Sequence, residues 1–475
     1  MASDLLSLIV NRGAMRDRSA ESLPTRPTRF RLGCVLVLAL GLSGFALAQT
    51  GSANGGTIGV AANYHPGGSS ADQQARIADT HDLVVLGTGW ADNGPPDQYY
   101  QTNPNIVAIV YQSWFDSGPG NPDYNFISAN HEDWFYHDGQ GNRIATYSTA
   151  DATDCDPPSC KASGTNCNCR FGMNMGNAAY RQYVADRFQD IVTGGGAYGG
   201  TRGFDGVFMD NTNPSWPYRP GKVSSGWVTA TPVYPDGHTQ VEAEWVADQK
   251  GFLAAMKSAV GAGKTLVYNG CIASANYPTW KDNSYAYLEH TDGCTMEDWV
   301  AAGTGTAATS KLGSDWQRDL DLFQGVTDRN KWATPLIGAG VHSKTVNRYG
   351  IASMLLIWTG PKSCMNFWKG TAEEAIANRF AQTFPEAAID LGSPSERYLK
   401  LPNGVASRKF SKGRVLVNPT TFTQTVDLGE TMTTVEGVSV SSVTLASGSA
   451  EILTKSGPAN TPPSDVTNLQ RTDTK

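Results

Sequence analysis

The fold of this chain is predicted most directly from the stretch GFDGVFMDNT, residues 203–212. Its apolar residues favour a buried strand, yet Asp205 stands near the start of the run and Asp210 at its end. The stretch DGCTME, residues 292–297, repeats the arrangement: Asp-Gly, three residues that include Met, and then an acid. The two stretches therefore predict two strands of the same kind, each beginning and ending on a carboxylate.

Six further apolar runs of similar length accompany these two along the chain. They alternate with segments whose apolar residues recur at helical spacing, among them 178–192, 242–260 and 347–358. Eight alternating strand and helix units predict an α/β fold, a (β/α)8 TIM barrel. The predicted strands are 57–63, 82–87, 105–112, 204–210, 265–270, 292–297, 334–340 and 363–368.

The two ends of the chain differ from this region. Arginines, the apolar run LGCVLVLALGLSGFALA and a final Ala-Leu-Ala are typical of a signal peptide cleaved before Gln49. A retained membrane anchor is the alternative, although the run is short for a helix that needs ~20 apolar residues. Past residue 392, short alternating strands predict a small all-β sandwich. The predicted units are a signal peptide at 1–48, a barrel at 49–392 with a cysteine-rich insertion at 151–170, a β-sandwich at 393–455 and a linker or tail at 456–475.

Seven cysteines follow residue 48. Four of them lie within CDPPSCKASGTNCNC, residues 155–169, where an exported chain favours local disulfides over the alternative, a zinc cluster. Cys271 directly follows the fifth predicted strand and Cys294 lies within the sixth, so we expect these two to be close in space. The odd total leaves one thiol free or paired outside the chain.

The carboxylates of the repeated stretches are the candidate catalytic groups. Because side chains alternate along a strand, the first and last acids of each stretch point to opposite faces. Asp210 and Glu297 are predicted at the C-terminal rim of the barrel, where TIM barrels carry their chemistry, and Asp205 and Asp292 near the strand starts. Two carboxylates across one cleft suit glycosidic bond cleavage, with one as proton donor and the other as nucleophile or base. Backbones two strands apart, roughly 10 Å, allow either a retaining or an inverting separation.

Four stretches of the chain carry a resemblance to a known family: HEDWFYHDGQGNRI (131–144), MNMGNAAYRQYVADRF (173–188), GFDGVFMDN (203–211) and RKFSKGRVLVNPT (408–420). They resemble the hypothetical glycosyl hydrolases, and the resemblance covers most of residues 57–453. It implies a TIM-barrel glycoside hydrolase with a β-domain behind the barrel. The order of the acids, on the fourth and sixth strands, also resembles the α-galactosidase clan, which implies Asp210 as the nucleophile and Glu297 as the acid.

The sequence thus predicts a secreted or periplasmic glycoside hydrolase that acts on a carbohydrate without a metal or cofactor. A non-catalytic carbohydrate-binding barrel is the alternative, and a zinc-dependent hydrolase using the cysteine cluster is a third. Without residues 1–48 the net charge is −10, which argues against nucleic acid as a partner, since phosphates require a basic patch. No membrane partner is expected after processing, and the oligomeric state stays open.

The remaining candidates surround the predicted rim. Asp116 and Glu289 are an alternative pair of acids. The aromatic residues Trp114, Phe115, Trp134, Phe135 and Tyr136 either form platforms for a ligand or pack their own loop. The residues expected to bind substrate are Asn211, Asn269, Trp114, Asp116, His65 and Trp299.

Overall fold

The described part of the chain comprises most of the predicted barrel and β-domain. The predicted signal peptide, the cysteine cluster at 155–169 and the predicted tail at 456–475 lie outside it. The computed structural model describes residues 53, 55–65, 71–87, 97–118, 121, 123–141, 143–147, 170–195, 203–213, 221–223, 226–228, 231–234, 236–272, 279–338, 343–367 and 384–455.

Parallel strands form the central sheet. They are β1 (Gly59–His65), β2 (Leu83–Leu86), β3 (Val107–Gln112), β7 (Gly206–Met209), β10 (Thr265–Asn269), β11 (Gly293–Thr295), β14 (Trp332–Ala333), β15 (Leu336–Ile337) and β16 (Cys364–Phe367). Their order across the sheet is β14-β11-β10-β7-β3-β2-β1-β16-β15.

The two ends of this order, β14 and β15, are separated on the chain by Thr334 and Pro335 alone. They are two parts of one barrel strand, interrupted where proline cannot donate to the ladder. The sheet therefore closes into the predicted TIM barrel.

Both faces of this sheet are buried. Alternate side chains, including Val85, Ile109 and Phe208, form a cluster inside the barrel, while Val84 and Val207 pack outward with apolar residues of the helices. This burial explains why the strands read as continuous apolar runs. The helices are α1 (Ala71–Thr80), α2 (Asp97–Thr102), α3 (Tyr124–Asn130), α4 (Ala178–Thr193), α5 (Glu242–Val260), α6 (Thr279–Leu288), α7 (Gly313–Asp328) and α8 (Lys344–Ile357).

Short elements extend the loops. Near the C-terminal end of β3, β4 (Asp116–Ser117), β6 (Arg170–Gly172) and β5 (Ala145–Tyr147) form an antiparallel sheet in that order. The others are the hairpins of β8 (Gly221–Val223) with β9 (Gly226–Val228) and of β12 (Ala301–Ala302) with β13 (Thr309–Ser310), and 3-10 turns at Glu132–Trp134, Gly305–Ala307 and Pro385–Ala388.

The acids at the strand starts close the N-terminal edge of the barrel. Asp82, Asp205 and Asp292 each precede a strand, and each accepts the backbone N–H of the second residue of the neighbouring strand. These donors would otherwise lack a partner at the edge of the sheet. The bonds are Val60 N to Asp82 Oδ2 at 2.8 Å, Ala108 N to Asp205 Oδ2 at 3.0 Å and Leu266 N to Asp292 Oδ2 at 2.8 Å.

The glycine of each Asp-Gly pair has a steric reason. A Cβ atom at Gly206 would collide with the backbone oxygen of Thr265, and one at Gly293 with that of Trp332. The aspartate closes the edge and the glycine permits the close approach of the next strand. The repeated Asp-Gly pair of the sequence therefore has the same structural role at the start of both strands.

A disulfide joins two neighbouring barrel strands. Cys271 and Cys294 are bonded, with 6.1 Å between their Cα atoms, which confirms the proximity expected from the sequence. Among the described residues Cys364 is a free thiol, fully buried in β16. Burial raises the pKa of this thiol well above its ordinary value, so it is poorly suited to react.

Replacing both Cys271 and Cys294 by serine is expected to lower the free energy of unfolding by about 3 kcal/mol. The bond closes a loop with a sequence separation of 23 residues, and a loop of this size restricts the unfolded chain by about that much. Urea unfolding measures the loss, with Cys364→Ala as a control that leaves the bond intact. Two free thiols at 271 and 294 in non-reducing mass mapping would contradict the bridge.

The C-terminal region is an antiparallel sheet of six strands. They are β17 (Leu399–Lys400), β18 (Ala406–Lys409), β19 (Gly413–Asn418), β20 (Gln424–Thr433), β21 (Ser439–Leu445) and β22 (Ser449–Thr454), in the order β17-β18-β19-β22-β20-β21. The two halves of this sheet are joined through the pair Thr433 and Thr454 of β20 and β22. Leu416 and Leu453 from one half share a buried cluster with Val426 from the other, so the halves face each other as two layers.

Arg408 of β18 connects this sheet to the barrel helix α8. Its Nη1 donates to the backbone oxygens of Leu355 and Leu356, each at 3.0 Å, and of Trp358 at 2.8 Å. The last carbonyls of a helix have no partner within the helix, and a cation suits the negative end of its dipole. Burial lowers the pKa of the guanidinium to about 10, which still leaves it charged at neutral pH.

Replacing Arg408 by methionine is expected to cost about 3 kcal/mol of unfolding free energy, because three buried carbonyls lose their donor. Urea unfolding followed by tryptophan fluorescence measures this loss. Arg397→Met is the matched control: Arg397 is exposed just before β17, and its replacement should change stability by less than about 0.5 kcal/mol. Equal stability of the two variants would refute the capping role of Arg408.

Candidate active site

The two acids that end the repeated stretches lie at the C-terminal rim of the barrel. Asp210 follows β7 directly, and Glu297 comes two residues after the end of β11. The residue after each acid has left-handed backbone, with φ of 59° at Asn211 and 55° at Asp298. This conformation is uncommon outside glycine and turns the chain away from its strand. Asn211, a predicted substrate contact, therefore lies at the rim beside Asp210.

Asn269, the last residue of β10, connects the two acids. Its Nδ2 donates to Asp210 Oδ1 at 2.8 Å and to Glu297 Oε1 at 2.9 Å. Since both oxygens bond to one nitrogen, they lie no more than about 6 Å apart. Asn269 is buried, whereas Glu297 is exposed.

Tyr111 of β3 holds the other oxygen of Asp210. Its hydroxyl donates to Asp210 Oδ2 at 2.7 Å. Burial, and then the charge of Asp210, raise the pKa of the phenol well above its ordinary value. The hydroxyl therefore stays protonated and serves Asp210 as a hydrogen-bond donor.

Arg170 of β6 lies next to Tyr111. Burial lowers the pKa of its guanidinium, but the charge of Asp116, a hydrogen bond with Tyr111 and the charge of Asp210 outweigh burial, and the net pKa is raised. Its Nη1 is 3.6 Å from Asp116 Oδ1. One cation is thus shared by the two acids that follow β3 and β7.

Asp116 belongs to this network rather than to an open binding surface. It is 1% exposed and accepts a hydrogen bond from Ser113 Oγ at 2.9 Å in addition to the contact with Arg170. Its predicted direct contact with substrate is corrected, because a side chain so covered cannot reach a ligand. Glu289 precedes β11 and lies 3.9 Å from Lys250, at the opposite end of the barrel strands. The structure does not bring the alternative pair together.

Two tryptophans predicted to bind substrate are core residues instead. Trp114 is 9% exposed and packs edge-on against Tyr183 of α4. Trp299 is fully buried, and its Nε1 donates to the backbone oxygen of Asp319 in α7 at 3.1 Å. The chain turns at Asp298 after β11, and Trp299 packs against α7.

The other candidates are placed as follows. Phe115, Trp134, Phe135 and Tyr136 are buried, which favours loop packing over ligand platforms. His65 is the last residue of β1, and its side chain lies outside the described part of the structure. Within the described ranges, no group of three or more His, Cys, Asp or Glu side chains could hold a metal ion. In the same ranges, no helix has the length and apolar character needed to cross a membrane.

Two residues of the site, Tyr111 and Arg170, are absent from the sequence-based prediction. Tyr111 had a usable signal: it lies on the strand next to that of Asp210, near its C-terminal end. Arg170 had none, because it follows the cysteine-rich stretch and reaches the site only through the pairing of β6 with β4.

The barrel fold agrees with the comparison of the chain with protein families. The profile of hypothetical glycosyl hydrolase family 15 matches residues 101–414, about two thirds of the chain. This chain belongs to hypothetical glycosyl hydrolase family 15. None of the curated proteins compared with it matches significantly.

Similar solved structures include several enzymes named for carbohydrate chemistry. A mutant of the trehalulose synthase MutB is 10% identical, covers 83% of this chain and 99% of its own, and has a TM-score of 0.46. The Nostoc punctiforme debranching enzyme soaked with acarbose is 13% identical, covers 79% of this chain and 86% of its own, and has a TM-score of 0.38. The Arthrobacter globiformis isomalto-dextranase complexed with panose is 11% identical, covers 84% of this chain and 72% of its own, and has a TM-score of 0.40. None of these distant likenesses identifies a substrate for this chain.

Proposed function

We propose that this protein is a secreted glycoside hydrolase that cleaves O-glycosidic bonds of an oligo- or polysaccharide with retention of configuration. Asp210 is the nucleophile and Glu297 the acid and base. The observation that carries the proposal is the placement of both carboxylates on one amide, that of Asn269. Membership of a glycosyl hydrolase family makes a carbohydrate the expected substrate.

The separation of the two acids favours retention over inversion. Their bridged oxygens are no more than about 6 Å apart. Retaining enzymes hold the two carboxyl groups about 5–5.5 Å apart, whereas inverting enzymes need about 6.5–9.5 Å to admit a water. The short bridge through Asn269 leaves no such space between these oxygens.

The reaction then proceeds in two displacements. In the first, Asp210 Oδ1 bonds to the anomeric carbon while the bond to the leaving oxygen breaks, and Glu297 gives its proton to that oxygen. In the second, Glu297 takes a proton from water, the water oxygen bonds to the anomeric carbon, and the bond to Asp210 Oδ1 breaks. Asp210 leaves as a carboxylate, Glu297 is protonated again, and the sugar keeps its configuration.

A screen of the protein against oligo- and polysaccharides, with analysis of the products, tests this proposal. NMR of the first product released should show the anomeric configuration of the substrate. Binding of a glycan without any product would favour a carbohydrate-binding barrel instead, and a product of opposite configuration would exclude the retaining reaction. N-terminal sequencing of protein from the native host should begin near Gln49; retention of residues 15–40 would contradict secretion.

A further inference from the structure

The two oxygens of Asp210 have different partners. Oδ1 is bonded to Asn269, which also contacts Glu297, so this oxygen faces the other acid. Oδ2 is bonded to the Tyr111 hydroxyl at 2.7 Å. Under the proposed reaction Oδ1 forms the bond to the sugar, and Oδ2 stays in contact with Tyr111 throughout.

We propose that Tyr111, oriented by Arg170, is a positioning residue for the second displacement, in which Asp210 leaves the sugar as a carboxylate. This inference rests on the proposed function and concerns the same site. It assigns a role to two side chains that touch the reaction only through Asp210.

The chemistry follows from the charge on Asp210. In the glycosyl-enzyme the acid is an ester, and the bond from Tyr111 to Oδ2 is a neutral hydrogen bond. When the bond between Oδ1 and the anomeric carbon breaks, its electron pair returns to Asp210, and the same contact becomes a bond to a full carboxylate. Hydrogen bonds to ionised acceptors are roughly twice as strong as neutral ones. Tyr111 therefore stabilises the charge that develops on Asp210 and lowers the barrier of the second displacement.

Arg170 orients the hydroxyl of Tyr111. A phenol has one proton to donate and can also accept. Arg170 makes a hydrogen bond with the Tyr111 oxygen, and because a guanidinium can only donate, the Tyr111 proton remains available for Asp210. Buried Asp116 in turn holds Arg170, with 3.6 Å between Nη1 and Oδ1. This assignment gives Asp116 a structural purpose in place of the direct substrate contact expected from the sequence.

The experiment uses Tyr111→Phe and an activated aryl glycoside of the sugar that the screen identifies. With such a substrate the first displacement is fast, so the variant should accumulate glycosyl-enzyme. We expect a burst of about one aryl alcohol per enzyme in rapid mixing, followed by a steady state roughly tenfold slower than wild type, the loss expected for one charge-assisted hydrogen bond. KM should fall with kcat, so that kcat/KM changes less than about threefold.

Tyr100→Phe is the matched control. The Tyr100 hydroxyl donates to Asp205 Oδ2 at 2.8 Å, a tyrosine–aspartate bond at the N-terminal edge of the same strands. Its loss should lower the melting temperature but produce neither a burst nor a change in KM. Intact-mass measurement of quenched Tyr111→Phe should show the enzyme plus one glycosyl unit, which a merely structural role of Tyr111 does not produce.

A double-mutant cycle tests Arg170. If Arg170 acts through Tyr111, Arg170→Gln should slow the second displacement in the wild-type background and add less than about twofold in the Tyr111→Phe background. Fully additive effects would overturn the relay from Arg170 to Tyr111.

The failures of the two proposals are distinguishable. Inverted products, or an Asp210→Asn variant that keeps its turnover, would overturn the proposed function and this inference with it. If products are retained and Asp210→Asn is inactive, but Tyr111→Phe lowers kcat/KM with unchanged KM and no burst, the inference alone is wrong. A Tyr111→Phe enzyme with wild-type kinetics would also overturn the inference alone.

Discussion

Asp210→Asn is expected to lower turnover by roughly 10⁴-fold while the protein stays folded. At about 1.36 kcal/mol per factor of ten, this corresponds to about 5.4 kcal/mol of lost transition-state stabilisation. The amide has nearly the shape of the carboxylate but no charge with which to form the ester to the anomeric carbon. The expected loss is therefore in kcat on every glycoside, activated or not.

The fold should survive this change because both contacts of residue 210 can be kept. An asparagine can turn its oxygen to the donor Asn269 and its amide to Tyr111, whose hydroxyl also accepts hydrogen bonds. The substitution also removes the negative charge of Asp210, which shares a donor with the second acid, Glu297. The melting temperature should stay equal to that of the wild type or rise slightly, as is common when a strained functional site is relieved.

Asp205→Asn is the matched control, on the same strand at its other end. Asp205 receives hydrogen bonds from Tyr100 and from the backbone of Ala108, so loss of its charge should lower stability by roughly 1 kcal/mol. Turnover per folded molecule should be unchanged, because the N-terminal face of a TIM barrel serves stability. Calorimetry and turnover are measured on both variants. Near-wild-type turnover of Asp210→Asn would show that another acid is the nucleophile.

Glu297→Gln is expected to slow the cleavage of glycosides with poor leaving groups far more than that of activated aryl glycosides. With natural glycosides, whose leaving oxygen needs a proton, kcat/KM should fall by about 10²–10⁴-fold, the usual contribution of general acid catalysis. With activated aryl glycosides the leaving oxygen needs no proton, so release in the first displacement should be nearly unaffected. The second displacement should still be slow, since Glu297 is also the base that activates water.

Glu289→Gln is the control for this prediction. Glu289 is an exposed glutamate beside Lys250, at the other end of the barrel strands, and its replacement should leave both classes of substrate unaffected. The comparison is made by measuring kcat/KM against the acidity of the leaving group for the two variants and the wild type. A uniform loss across all leaving groups in Glu297→Gln would assign that residue to binding rather than to proton transfer.

Much of the site can be read from the repeated Asp-Gly stretches. Strand side chains alternate, so a five-residue offset separates the two acids of each stretch onto opposite faces. The structure confirms this: Asp205 is bonded to Tyr100 of the helix layer, and Asp210 to Tyr111 at the barrel interior. The same reasoning extends to Asn269. It lies two residues after Val267 on β10, so its side chain points to the same barrel interior as the acids.

The sequence predicted wrongly where a side chain lies beyond a strand end. Trp299 follows a residue with left-handed backbone, and its burial depends on α7, which lies later in the chain. Trp114 and Asp116 follow β3 and are covered by α4 and β6, elements separated from them by the cysteine-rich stretch. Alternation along the barrel strands gives no direction for such residues, because they lie outside the ladders of the barrel.

Local patterns in the chain were enough to predict the eight-strand α/β barrel, the acids near its strand starts and the two carboxylates at its C-terminal rim. These features follow from apolar runs, period-two alternation and the common direction of parallel strands. Three others became visible only in the folded molecule: one amide of Asn269 joins Asp210 to Glu297, Arg170 reaches Tyr111, and Cys364 is a free thiol among the described residues. Each of these depends on where segments distant in the chain meet, and that is fixed by closure of the barrel and packing of its loops rather than by any local pattern.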